Sequence, residues 1–127
     1  MKRSTFFLIA AILGALFGVL MFFLPTKAAE GFGVGAVPET ITMFRALGAF
    51  ILALGLMNFL VRNHEDTVTL KAVLLTNIVS HALDMVAGLW GVADGVLTIT
   101  KITPGILTHL FIGIGSFIYL MRIKTPN

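Results

Sequence analysis

Asn77, Ser80, His81 and Asp84 fall at i, i+3, i+4 and i+7 within an otherwise apolar stretch. At about 100° per residue on a helix they share one face with Gly88 and Gly91, while Ile78, Val79, Ala82, Leu83, Val86 and Leu89 lie off it. Two more ionisable groups, Arg45 and His109, sit in other apolar stretches. His81, Asp84 and His109 could exchange protons, ligate a metal or bind a polar group. Acyl-transfer and thiol chemistry find no support. The chain has no cysteine, no G-x-S-x-G turn and no paired-carboxylate site, so no nucleophile accompanies these acid–base groups and no catalytic residue is assigned. The three ligand types suit a metal but lack a spacing such as H-E-x-x-H. Two facing histidines could flank a haem, yet no haem motif is present. No metal and no cofactor is therefore assigned.

The elements that position these groups are four apolar stretches at 5–24, 43–61, 70–90 and 104–121. Each is close to the ~20 residues that a helix needs to cross a ~30 Å hydrocarbon layer. Hydrophobic residues make up 57% of the 127 and charged ones 12%, about half the charge of a soluble domain. The expected fold is all-α, an up-down-up-down bundle of four transmembrane helices with spans at about 5–24, 41–62, 68–91 and 103–122. Those spans use most of the chain, so 1–127 reads as a single membrane domain. The first apolar run is longer than the ~7–15 residues of a signal-peptide core, which favours a retained helix.

The net charge of +3 comes from basic residues scattered singly at span ends, a pattern that excludes nucleic-acid binding. Lys2, Arg3, Arg62, Lys71, Arg122 and Lys124 fall on one side of a four-span chain, against Lys27, Arg45 and Lys101 on the other. The positive-inside rule then places both termini of this multi-pass chain in the cytoplasm. Trp90 and Tyr119 fit the outer and inner aromatic belts.

Gly14-x-x-x-Gly18 offers a small-residue face for close helix packing, either within the bundle or between copies. Pro25 ends the first helix. The following segment, with Gly31, Gly33 and Gly35, reads as a flexible turn or a half-buried loop, and Thr40 as the cap of span two. The short charged loop from Arg62 implies antiparallel spans two and three, with Asp66 or Thr67 capping the third. The β-branched run before Pro104 is either an interfacial turn or an extension of the third helix. Met21, Met43, Met57, Met85 and Met121 read as core filler, and Asn58 and Asn77 as interhelical hydrogen-bonding groups.

Counting helical rise from flanking charges puts Asn77 ~9 Å, His81 ~15 Å, Asp84 and His109 ~20 Å and Arg45 ~25 Å from the cytoplasmic boundary. Ionisable groups at such depths cost roughly 2.5–3.5 kcal/mol unless paired or solvated in a cavity. One expectation is an Asp84–Arg45 ion pair with His81 or His109 alongside, although Arg45 could instead snorkel to headgroups. The others are a polar pocket and a proton or ion path. Arg45, Asn77, His81, Asp84 and His109 are thus the candidate binding or structural cluster.

Arg45-Ala46-Leu47-Gly48-Ala49 leading to Gly55, Asn77, and His109-Leu110-Phe111 leading to Gly115 and Tyr119 together resemble the DoxX-like and related small bacterial four-helix inner-membrane proteins. The resemblance implies the four-helix fold and transfers no reaction. The expected function is non-enzymatic: an accessory subunit, or a binder of a hydrophobic ligand or lipid in a polar-lined intramembrane pocket. The alternative is a proton-coupled or small-molecule transporter acting as an oligomer. Partners implied are membrane lipids, a hydrophobic small molecule, and further copies of the chain or a larger membrane complex.

Overall fold

The computed structural model describes residues 1–124. It contains five helices: α1 (Arg3–Phe23), α2 (Pro25–Phe32), α3 (Pro38–Val61), α4 (Val68–Ala93) and α5 (Ile99–Leu120). No strand occurs among the described residues. All but α2 are long and apolar enough to cross a membrane, the pattern of a multi-pass membrane protein. Their outer faces carry apolar side chains: Leu16, Leu60, Leu83 and Leu107 each stand more than half exposed. Such a surface suits lipid rather than water.

The chain threads up-down-up-down, and four contacts at one end demonstrate it. Arg3, opening α1, donates to the Asp66 carboxylate and, at 2.7 Å, to the His64 carbonyl in the α3–α4 loop. The second Asp66 oxygen accepts from the Lys124 backbone N–H after α5, at 3.0 Å. Tyr119 on α5 donates its hydroxyl to the Met1 carbonyl at 2.7 Å. The Arg3 guanidinium, and then the Lys124 N–H, hold the Asp66 carboxyl below its ordinary value of 3.8. A carboxyl whose pKa is lowered by folding stabilises the fold above its unfolded pKa and loses that contribution as pH falls through the lowered one. Asp66→Asn should therefore flatten the acid limb of a pH–stability profile below about pH 4. Thermal unfolding in detergent across that range checks this; an unchanged acid limb would show that the clamp contributes nothing.

Helix boundaries follow local chemistry. The chain leaves α1 at Leu24 (φ −124°, ψ 49°), and Pro25 opens α2 at its first position, where a missing N–H costs nothing. Gly33 closes α2 in the left-handed region at φ 76°, and the Val34 N–H reaches back to the Ala29 carbonyl at 3.0 Å. The segment expected to be a loop is thus a short helix, with Pro25, Ala28 and Ala29 buried and a Lys27–Glu30 ion pair facing out. Thr40 does not cap α3: Pro38 begins that helix after Val37. Thr67 does cap α4, its hydroxyl accepting from the Leu70 N–H at 3.2 Å. At the far end α4 runs to Ala93, and the β-branched run begins α5, with Pro104 inside it.

The bundle is a pair of hairpins. α1 packs along α3, and α4 along α5, while α3 and α4 meet sparsely despite their short connection. Small residues explain the first seam. A Cβ on Gly14 would stand 3.0 Å from the Gly55 Cα, and one on Gly48 would stand 2.5 Å from the Phe22 backbone nitrogen. The Gly14-x-x-x-Gly18 face is therefore consumed within the chain. The hairpins join through a core of Phe6, Phe7, Ala10, Val61, Leu70, Val73, Leu74 and Ile112. Phe6 also lies against the rings of Phe111 and Tyr119, with centroids 5.6 and 5.1 Å away. This core occupies the end that carries the termini, and the hairpins separate beyond it.

Candidate functional site

Beyond the core the two hairpins enclose a cavity of about 500 Å³, lined by all four long helices. Its walls are apolar: Leu13, Phe17 and Met21 of α1, Leu47, Ile51 and Leu54 of α3, Met85 of α4, and Ile102 and Ile106 of α5. Asn58, His81, Asp84, Thr108 and His109 supply the polar side chains. Thr108 spends its hydroxyl proton on the Pro104 carbonyl, 3.0 Å away on its own helix. His81, Asp84 and Gly88, from the polar face of α4, thus border the cavity.

His81 and His109 meet directly across the α4–α5 seam. Their Nδ1 atoms lie 2.8 Å apart, with ring centroids at 5.1 Å. Gly113 lies opposite His81 at this seam: a Cβ there would stand 3.7 Å from the His81 Cβ, an ordinary van der Waals contact. One Nδ1 must carry the proton that the other accepts. The direct contact leaves no gap for a haem between the rings. Asp84, one turn along α4, is exposed and lines the cavity. One ligand atom from each of His81, Asp84 and His109 lies within 4.8 Å of the others.

Two members of the expected cluster lie elsewhere. Arg45 is exposed, does not line the cavity and forms no ion pair with Asp84. The reason is azimuth. Met43, Leu47, Ile51, Leu54 and Asn58 define the cavity face of α3, and Arg45, two residues from Leu47, points ~160° away from it, across the α1 seam. Its long side chain is placed to snorkel along the outside of the helix. Asn77 is fully buried and absent from the cavity wall. It donates to the Asn58 Oδ1 at 2.7 Å and accepts from the Asn58 Nδ2 at 3.4 Å. It thus ties α4 to α3 and is not free for a ligand. Asn58, whose amide is also satisfied by the Leu54 carbonyl at 3.0 Å, borders the cavity at its core end. Ser80 is half-buried and is not a lining residue.

What remains is a compact site of two histidines and a carboxylate at the side of an apolar chamber. No family model, curated protein or solved structure matches the chain.

Proposed function

We propose that this is a small non-enzymatic membrane protein that binds an amphipathic, lipid-like molecule between its two hairpins, with His81, Asp84 and His109 facing the polar part. The observation that carries this reading is the cavity itself. Its size falls in the ~300–1,000 Å³ range of small-molecule sites, and mostly apolar walls with a few convergent polar groups are their usual make-up. An accessory-subunit role has no comparable observation behind it. A transporter built from several copies has less support, because the small-residue face that could join copies is occupied by α3. The six basic residues at the end carrying the termini, and the resemblance to small inner-membrane proteins, support a bacterial inner-membrane location with both termini cytoplasmic.

Gly105 offers a direct test. It lines the cavity, and a Cβ built there meets only the His109 Nε2, at 3.9 Å. Gly105→Leu should project a leucine side chain into the chamber while retaining the helix, since leucine is the better helix former. Native mass spectrometry and lipid extraction from gently purified protein should find one retained amphipathic molecule per chain in the wild type. The variant should retain several-fold less at unchanged helicity. A ligand-free wild type, or equal retention by both proteins, would overturn the reading.

A further inference from the structure

We infer that His81, Asp84 and His109 form a binding site for a divalent transition-metal ion of the zinc class, with one coordination position open to the cavity. This does not depend on a lipid-like occupant. The i, i+3 relation of His81 and Asp84 puts an imidazole and a carboxylate on one face of α4. A ligand pair at that spacing, completed from a facing helix, is how bundles build metal centres. His109 completes it from α5.

The distances fit. Tetrahedral zinc with Zn–N bonds of ~2.0–2.1 Å separates its ligand nitrogens by about 3.3 Å. The two Nδ1 atoms stand 2.8 Å apart, so the rings need to part by only ~0.5 Å, within reach of side-chain rotation. The Asp84 carboxylate, within 4.8 Å in the same cluster, has up to ~1.5 Å to close to reach that ligand spacing, a movement that rotation about its χ1 and χ2 can supply. Metal binding would also resolve two features of the cluster. Both Nδ1 lone pairs would point at the ion, with the donor ring's proton moved to its Nε2. Asp84 would gain a cation, which it lacks, since neither ion pair among the described residues includes it. A carboxylate at this depth is otherwise costly.

The donor set selects the metal class. Two imidazoles and one carboxylate favour zinc, iron, nickel or copper(II) over calcium or magnesium, which take oxygen ligands, and no thiolate is present to select copper(I). Three protein ligands leave a fourth position for water or a ligand group, the open arrangement that structural zinc sites lack. The third histidine, His64, lies in the α3–α4 loop, bonded to Thr67, and serves as an internal control.

The test uses tag-free, chelator-stripped protein in detergent, titrated with Co²⁺ alone and read by its visible ligand-field absorption, then with Zn²⁺ in competition. The wild type should bind one Co²⁺ per chain with the intense band of a four-coordinate site, displaced by Zn²⁺. His81→Ala and His109→Ala should each lose the band, Asp84→Asn should weaken binding at least tenfold, and His64→Ala should change nothing. Asp84 is exposed to the cavity, so its variant keeps the test valid if a histidine variant fails to fold. No stoichiometric Co²⁺ band in the wild type, or equal affinity in Asp84→Asn, would overturn the inference. Retention of a lipid is read separately by mass, so failure of either proposal leaves the other standing.

Discussion

Gly48→Ala should destabilise the protein by about 3 kcal/mol, the upper end of what overpacking costs. The added methyl group would stand 2.5 Å from the Phe22 nitrogen, 2.9 Å from the Gly18 carbonyl oxygen and 3.0 Å from the Met21 carbonyl carbon. All three are backbone atoms of α1, so no side-chain rotation can relieve the clash and the two helices must separate. Separation would also loosen the seam at Gly14 and Gly55, where backbone meets backbone at similar range. In lipid this loss matters more than in water, because close van der Waals packing replaces the hydrophobic drive for helix association. Gly31→Ala is the matched control: nothing lies within 4 Å of its added atom, so any effect should reflect helix propensity, worth up to ~1 kcal/mol in favour of alanine. Reversible SDS unfolding followed by circular dichroism measures both. A Gly48→Ala protein as stable as the wild type would mean that α1 and α3 do not meet as closely as described.

The span count was legible because hydropathy over ~20 residues is set by the thickness of the bilayer rather than by packing detail. The inward turn of α4 was equally legible, since the spacing of Asn77, His81 and Asp84 defines a face without knowledge of its neighbour. Depth and small neighbours do not place Arg45 at the cavity: the cavity positions of α3 run through Leu47 and Ile51, and an arginine two residues away cannot share that face. The His81–His109 contact was hidden by depth counting. Their estimated levels differed by ~5 Å, one helical turn, and measuring rise from flanking charges ignores tilt and any offset between helix ends. The signals for α2, proline at its first position and glycine just past its end, were present in the sequence but were outweighed by the three glycines around Phe32 and Val34. The two-hairpin arrangement with a chamber between was not readable at all: it follows from which glycines face which backbone, a property of pairs of helices.

The Asn58–Asn77 amide pair predicts a strongly non-additive response. Asn58→Leu leaves Asn77 fully buried without either of its two amide hydrogen bonds to Asn58. Orphaning a buried amide should cost about 2–3 kcal/mol, the upper part of the range for an unsatisfied buried polar group. Asn77→Leu should cost less, about 1–2 kcal/mol, because Asn58 keeps the Leu54 carbonyl of its own helix and borders the cavity. The double variant removes both amides and substitutes apolar groups of similar size, so it should be more stable than Asn58→Leu alone. A positive coupling energy of about 1 kcal/mol or more from the double-mutant cycle is expected, within the range for interhelical hydrogen bonds in membranes. SDS unfolding of the four proteins supplies the cycle. Strict additivity would mean that the amides do not bond across the helices. The order of the two single variants is the sharper test, since simple loss of packing would make the more deeply buried Asn77 the costlier site. This pair also sits where the hairpins begin to part, between the apolar core of Leu70, Val73 and Leu74 and the histidine site. If it alone fixes the spacing of α3 and α4 there, the single variants should also alter what the cavity retains, whereas the double variant, repacked with leucine, should close its core end.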